Sequence, residues 1–186
     1  MKTTVITYYL EMTDPAQHRR ARAALELEVR RAEIICPELN RFLYTAVGGN
    51  WFWTQRLPWT HREWLTYLCQ PEIQTWIGWL QGTPAGYFEL DHRPGTGVEI
   101  AYFGLLPQFV GRGLGGALLS GAIDQGWRHA PRRVWLHTCT LDHPRALANY
   151  QARGFQLYKT EEQVKELPEQ PTGPWPGAGP HSEIER

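Results

Sequence analysis

The stretch Pro107-Gln-Phe-Val-Gly-Arg-Gly-Leu-Gly-Gly116 decides how this chain is to be read. Four glycines (111, 113, 115 and 116) fall within six positions, after the apolar run Gly97–Leu106 and before Leu119, Ile123 and Trp127 on one helical face. Such a helix start is unfavourable in propensity, by about 1 kcal/mol for each glycine relative to alanine. Glycine is needed where backbone must approach a ligand with no Cβ in the way. The free N–H groups of a helix's first turn, with the positive end of its dipole, suit phosphate oxygens. The stretch therefore predicts a strand, a phosphate-binding turn and a helix in succession.

Upstream, Gln74–Leu80, Ala85–Leu90 and Gly97–Leu106 read as strands joined by the turns Gln81-Gly82-Thr83-Pro84 and Asp91–Thr96, so they must be antiparallel. Thr3–Met12, β-branched and aromatic, is a further strand. Leu25–Glu33 is either a strand or part of a helix begun near Asp14. Pro37 opens a helix with Leu39, Phe42, Leu43 and Ala46 on one stripe and Gly48 as its end. Thr60, three residues before Glu63, is the N-cap of a second helix to Cys69. Downstream, Arg132–Leu141 reads as a strand, Pro144–Arg153 as a helix ended by Gly154, and Phe155–Lys159 as a last strand. Alternating strands and helices in this half require crossovers and some parallel pairing. The expected fold is α/β (mixed α+β), a largely antiparallel central sheet with helices on both faces in a single domain, residues 1–167. Residues 168–186, with five prolines and three glycines, read as a flexible tail.

Composition narrows the function. With 186 residues, 19 basic and 19 acidic groups, the chain carries no net charge, which argues against a nucleic-acid binder working through a broad basic field. Residues 111–133 nonetheless carry Arg112, Arg128, Arg132 and Arg133 against Asp124, a basic spot beside the glycine turn. The three cysteines are widely spaced and form neither a metal-ligand pair nor a disulfide framework. No apolar run is long enough for a signal peptide or a membrane span, so a cytoplasmic protein without metal is the expectation. Six of nine tryptophans (51, 53, 59, 64, 76 and 79) lie within 29 residues.

Gly111, Gly113 and Gly116 also satisfy G-x-G-x-x-G, with Asp142 where a ribose-binding acid would stand. The antiparallel context, with one strand–helix unit remaining, leaves no room for a full dinucleotide-binding sheet. Instead, VEIAYFGLLPQFVGRGLGGALL followed by VWLHTCTLDHPRALANYQARGF resembles the GNAT superfamily of acetyl-CoA-dependent N-acetyltransferases. The family's loop [Q/R]-x-x-G-x-[G/A] falls on Val110–Gly115, with Val110 at its first position. Its signature N-x-x-A-x-x-x-Y-x-x-x-G-F falls on His143, Ala146, Tyr150, Gly154 and Phe155, with His143 in place of Asn.

The resemblance implies acetyl transfer from acetyl-CoA to a small-molecule or peptide amine, by a monomer or homodimer, without nucleic acid or membrane. The backbone of Gly111, Arg112, Gly113, Leu114, Gly115 and Gly116 would hold the pyrophosphate, with Arg112 meeting a phosphate. Phe103, Gly104 and Leu105 would pair with the pantetheine arm and support the oxyanion, their edge opened by a bulge or splay after Gly104, and His143 would stand beside the arm. An amine is protonated at neutral pH and needs a base. Glu99 stands 12 residues before Gly111, where histone-type members carry a glutamate, on a strand face shared with Ala101 and Phe103, an apolar setting that would raise its pKa. His137 and His143 are rival bases. Tyr150 matches the tyrosine that protonates the leaving thiolate. Cys139 reads as a small buried residue. The tryptophans either anchor core and loops or wall an acceptor pocket. Two other classes stay open: a non-catalytic acetyl-CoA-binding module and a dinucleotide-binding oxidoreductase.

Overall fold

The structure, a computed structural model, describes residues 1–22, 27–95, 97–171 and 173. In chain order the elements are β1 (Lys2–Met12), β2 (Leu27–Arg31), α1 (Pro37–Gly48), α2 (His61–Leu68), β3 (Ile73–Leu80), β4 (Thr83–Asp91), β5 (Val98–Leu105), α3 (Leu114–Trp127), β6 (Val134–Cys139), α4 (Ala146–Ala152) and β7 (Gln156–Glu166). The strands form one sheet in the order β2-β3-β4-β5-β6-β1-β7. Every pair is antiparallel except β5 and β6, which run parallel because α3 carries the chain across between them. The expected mixed, largely antiparallel sheet is what forms. Most of the expected tail lies outside the described residues.

Each face of the sheet buries a different set of side chains, as period-2 alternation requires. One face carries Leu10, Met12, Phe88, Leu90, Ile100 and Leu136 against Leu118, Leu119 and Ile123 of α3 and Tyr150 of α4. The other carries Ile77 and Tyr87 against Leu43 and Val47 of α1, and Ile73 against Trp64 and Leu68 of α2. Burying a large apolar side chain contributes roughly 1.5–3 kcal/mol, so these two layers dominate the stability.

Three details depart from the sequence reading. In α1 the expected Leu43 and Ala46 are buried, Asn40, Tyr44 and Val47 join them, and Phe42 is exposed. Asn40 is drawn in by a hydrogen bond it donates from Nδ2 to Thr75 Oγ1, 2.7 Å away. β7 runs on to Glu166 despite its polar sequence, because β1 offers a partner along nearly its whole length. And β1, whose position the pattern does not specify, sits inside the sheet between β6 and β7. The Thr60–Glu63 capping box at the start of α2 forms as expected.

Candidate active site

The site begins where two parallel strands part. β5 and β6 share only two rungs, Val98 with Val134 and Glu99 with Trp135. Beyond them β6 stays with β1 and β5 stays with β4, so the β6-facing edge of β5 from Ile100 onward has no strand partner. The split opens a cavity of about 920 Å³. It starts at the first residue after Glu99, earlier than the sequence reading placed it, after Gly104.

A bulge sets which side chains enter this cavity. On β4 Glu89 pairs with Tyr102 and the next residue, Leu90, with Ile100, so Ala101 is the extra residue on β5. The strict alternation assumed from the sequence, with Glu99, Ala101 and Phe103 on one face, is therefore broken. Glu99 shares its face with Tyr102, while Ile100 and Phe103 turn to the α3 side. Phe103 there meets Tyr150 edge to face, ring centres 5.9 Å apart.

Glu99 consequently stands in polar company at the apex of the split. His137 Nδ1 on β6 is 3.3 Å from its Oε1. Asp91 faces it across the β4–β5 pair. Asp91 is held by Arg93, whose backbone N–H donates at 2.9 Å and whose Nε donates at 2.7 Å. The ring of His137 lies 5.8 Å from that of Tyr9 on β1, and the Tyr9 hydroxyl donates to Glu161 at 2.6 Å. That hydrogen bond, with burial, pushes the Tyr9 phenol up to about 12. Glu99, His137 and Tyr9 all line the cavity, so a row of titratable groups runs from the apex towards β7.

The opposite end is the glycine turn. Gly113 caps α3 with φ 77°, a left-handed conformation suited to glycine, and no side chain of the cap hydrogen-bonds the N–H groups of the first turn. Gly111, Gly113, Gly115 and Gly116 line the cavity. Leu114 is buried beneath them. Arg112 does not line it: its guanidinium lies 5.4 Å over the Phe109 ring. The basic spot read from residues 111–133 is also dispersed, because Arg128 and its successors follow the far end of a helix roughly 20 Å long. Arg133 there is bonded to Glu11 at 2.7 Å.

Along the cavity wall, Tyr150 of α4 is buried, and burial together with Asp142 raises its phenol well above its ordinary value. A phenol so placed stays protonated and is a donor. His143 lines the wall with its ring 5.3 Å from Trp51. Its Nδ1 accepts the Arg145 N–H at 3.0 Å, which leaves neutral His143 with its proton on Nε2. Asp142, the residue a dinucleotide site would need for a ribose, is instead occupied by Thr138 Oγ1 at 2.6 Å and the Cys139 N–H at 2.9 Å. Burial pushes the Cys139 thiol up, away from the nucleophilic thiolate.

The tryptophans divide. Trp51 and Trp53 line the cavity, Trp53 against Tyr44 and Tyr102. Trp76 stacks on Phe88 in the core. Trp59 and Trp64, with Tyr67 and Tyr102, enclose a cation of the chain itself: Arg56 Cζ lies 4.8, 5.5, 4.1 and 4.2 Å from their rings. Arg56 forms two hydrogen bonds to Glu89, of 3.1 and 3.0 Å, and Tyr67 donates a third at 2.6 Å. Burial alone would pull the Arg56 guanidinium down, but Glu89 outweighs it and holds the charge. This pair escaped the sequence reading. Its signal was Glu89, a single charge in the otherwise apolar strand AGYFEL. Arg22, Asn149 and Arg153, which also line the cavity, were missed too.

Among the described residues no group of three or more His, Cys, Asp or Glu is placed to hold a metal ion, and no helix is long and apolar enough to cross a membrane. Residues 33–155 match the sequence model of the acetyltransferase (GNAT) family. The chain belongs to that family. None of the curated proteins compared matches it. Its fold is similar to that of a GCN5-related N-acetyltransferase from Sphaerobacter thermophilus (TM-score 0.66, 17% identity, 87% of this chain and 52% of that one). Another GCN5-related N-acetyltransferase, from Kribbella flavida, gives a TM-score of 0.62 at 17% identity over 86% and 57%. A functionally unknown conserved protein from Staphylococcus epidermidis gives 0.57 at 12% over 88% and 62%. The GNAT chain thus spans between 52% and 62% of the length of these three.

Proposed function

We propose that the chain is an N-acetyltransferase that moves the acetyl group of acetyl-CoA directly to the amine of a small molecule or peptide. The carrying observation is that one cavity joins the glycine-capped start of α3, the unpartnered edge of β5, Glu99 and Tyr150. These features fit the cosubstrate: Gly111 and Gly113 leave open space where side chains would intrude, and the β5 edge offers backbone groups to an amide-bearing arm. Bound there, acetyl-CoA would supply an activated thioester carbonyl.

The rest follows from the chain's own groups. Glu99 accepts the proton of an ammonium acceptor, directly or through water, and His137 beside it offers that proton a route onward. A backbone N–H of Phe103–Leu105 supports the carbonyl oxygen as it gains charge. The amine nitrogen bonds to the acyl carbon, the carbon–sulfur bond breaks, Tyr150 gives its proton to the departing sulfur, and the second proton released by the nitrogen returns through water to Tyr150. Trp51, Trp53 and Tyr102 wall the acceptor side, and the caged Arg56–Glu89 pair fixes that wall in place.

The test is release of free CoA from acetyl-CoA across a panel of amines. Amine-dependent release supports the reading. A protein that binds CoA yet releases none with any amine would instead be a non-catalytic acetyl-CoA-binding module.

A further inference from the structure

The position of β1 creates a feature that the phosphate turn alone does not explain. β1 lies five places from β2 in the sheet, about 24 Å at ordinary strand spacing, so the intervening segment must cross the molecule. It crosses on the α3–α4 side. The Arg19 N–H donates to Arg153 O at the end of α4, at 2.9 Å. Arg20 is bidentate on Asp124 of α3, both bonds 2.6 Å, and the Ala21 N–H donates to Ser120 Oγ at 3.0 Å. Gly154 (φ 107°) lets the segment lie against the turn after α4, since a Cβ there would strike Gln17 O.

This strap ends beside the glycine turn. A Cβ on Gly116 would come within 2.9 Å of Arg153 Nη1 and 3.0 Å of the Ala21 Cβ, so Arg153 and the strap flank the first turn of α3. Arg22 and Arg153 line the same cavity as the turn, and among the described residues neither is in an ion pair. The Nε of Arg153 is buried without a hydrogen-bond partner, a costly state for a charged donor unless a ligand satisfies it. The N–H groups of Gly113–Gly116 already answer to a pyrophosphate, so two further guanidinium groups point to a second anion.

We propose that Arg22 of the strap and Arg153 of α4 form a subsite for the phosphomonoester on the ribose of CoA. The proposal rests on the acetyl-CoA reading and names which part of that ligand the strap recognises. A phosphomonoester carries more charge than a bridging phosphate, and planar guanidinium groups match it in bidentate fashion.

Calorimetric titration of the whole chain with CoA and with 3′-dephospho-CoA tests it. The unaltered protein binds CoA more tightly than the dephospho form. Arg22→Ala and Arg153→Gln each weaken CoA about tenfold while moving dephospho-CoA by less than about twofold, and together they bring the two affinities level. Arg22 is exposed, so Arg22→Ala keeps the test available if Arg153→Gln fails to fold. Equal affinity of the unaltered chain for both ligands, or equal weakening of both by the variants, overturns the subsite alone. No binding of either ligand overturns the acetyl-CoA reading and the subsite with it.

Discussion

Glu99 owes its position to one extra residue on its own strand. Without the bulge at Ala101, period-2 alternation would set Glu99 beside Phe103 in an apolar layer. With it, Glu99 faces Tyr102, Asp91 and His137. The family resemblance, which places a glutamate 12 residues before Gly111, singles out Glu99 in the sequence, but its surroundings were not legible, because a bulge is decided by pairing with β4 rather than by local sequence. If Glu99 is the base, Glu99→Gln lowers kcat/KM about 10²- to 10⁴-fold and removes the alkaline rise of the rate, as read from a pH–rate profile. An unaltered profile would assign the proton to another group. Tyr150 gives a complementary expectation. If its buried, protonated phenol serves the leaving sulfur as proposed, Tyr150→Phe lowers kcat while the affinity for CoA, measured by calorimetry, changes little. A matching loss in affinity would reduce Tyr150 to a packing residue.

At the scale of elements, the aromatic wall of the cavity is held by a charge network rather than by apolar packing alone. The segment between α1 and α2 carries Arg56 inward to Glu89 on β4, and α2 adds Tyr67. The pair is nearly sealed, with side-chain exposures of 8% and 1%. Removing one partner of such a pair leaves a buried charge uncompensated, so Glu89→Ala costs about 3–5 kcal/mol in urea unfolding. The double change Arg56→Met with Glu89→Leu recovers much of that loss, because it leaves no charge behind. Additive losses in the two single variants would show that the residues do not act as a pair. The cluster of tryptophans was plain in the sequence, and its partition was not. Composition marks aromatic surface, whereas whether it faces a ligand or an internal arginine depends on where Arg56 and Glu89 meet. Helix caps and hairpins were legible because short-range chemistry decides them, as the Thr60–Glu63 box shows.

For the whole molecule, the feature least visible in the sequence is the place of β1. Its β-branched and aromatic residues announce a strand, but its partners are β6 and the polar β7, and nothing local selects them. The strap that follows from this placement also carries a pH dependence. Burial holds His18 below the ordinary imidazole value of 6.5, Asp124 opposing it, and burial with His129 nearby does the same to His92. Folded values below the unfolded one mean that this stability is present above pH 6.5 and is lost as pH falls through the unfolded and then the folded values. The urea midpoint therefore falls on acidification below about pH 6.5, and less steeply in His18→Asn. Parallel slopes would show that His18 titrates alike folded and unfolded. The whole cavity, from the glycine turn to Glu99, is tested most directly by CoA release from acetyl-CoA across an amine panel between acidic and alkaline pH. If the cavity is an acetyl-transfer site, release depends on an amine, rises towards alkaline pH and collapses in Glu99→Gln. Release that ignores every amine, or none at all from a chain that binds CoA, would contradict it.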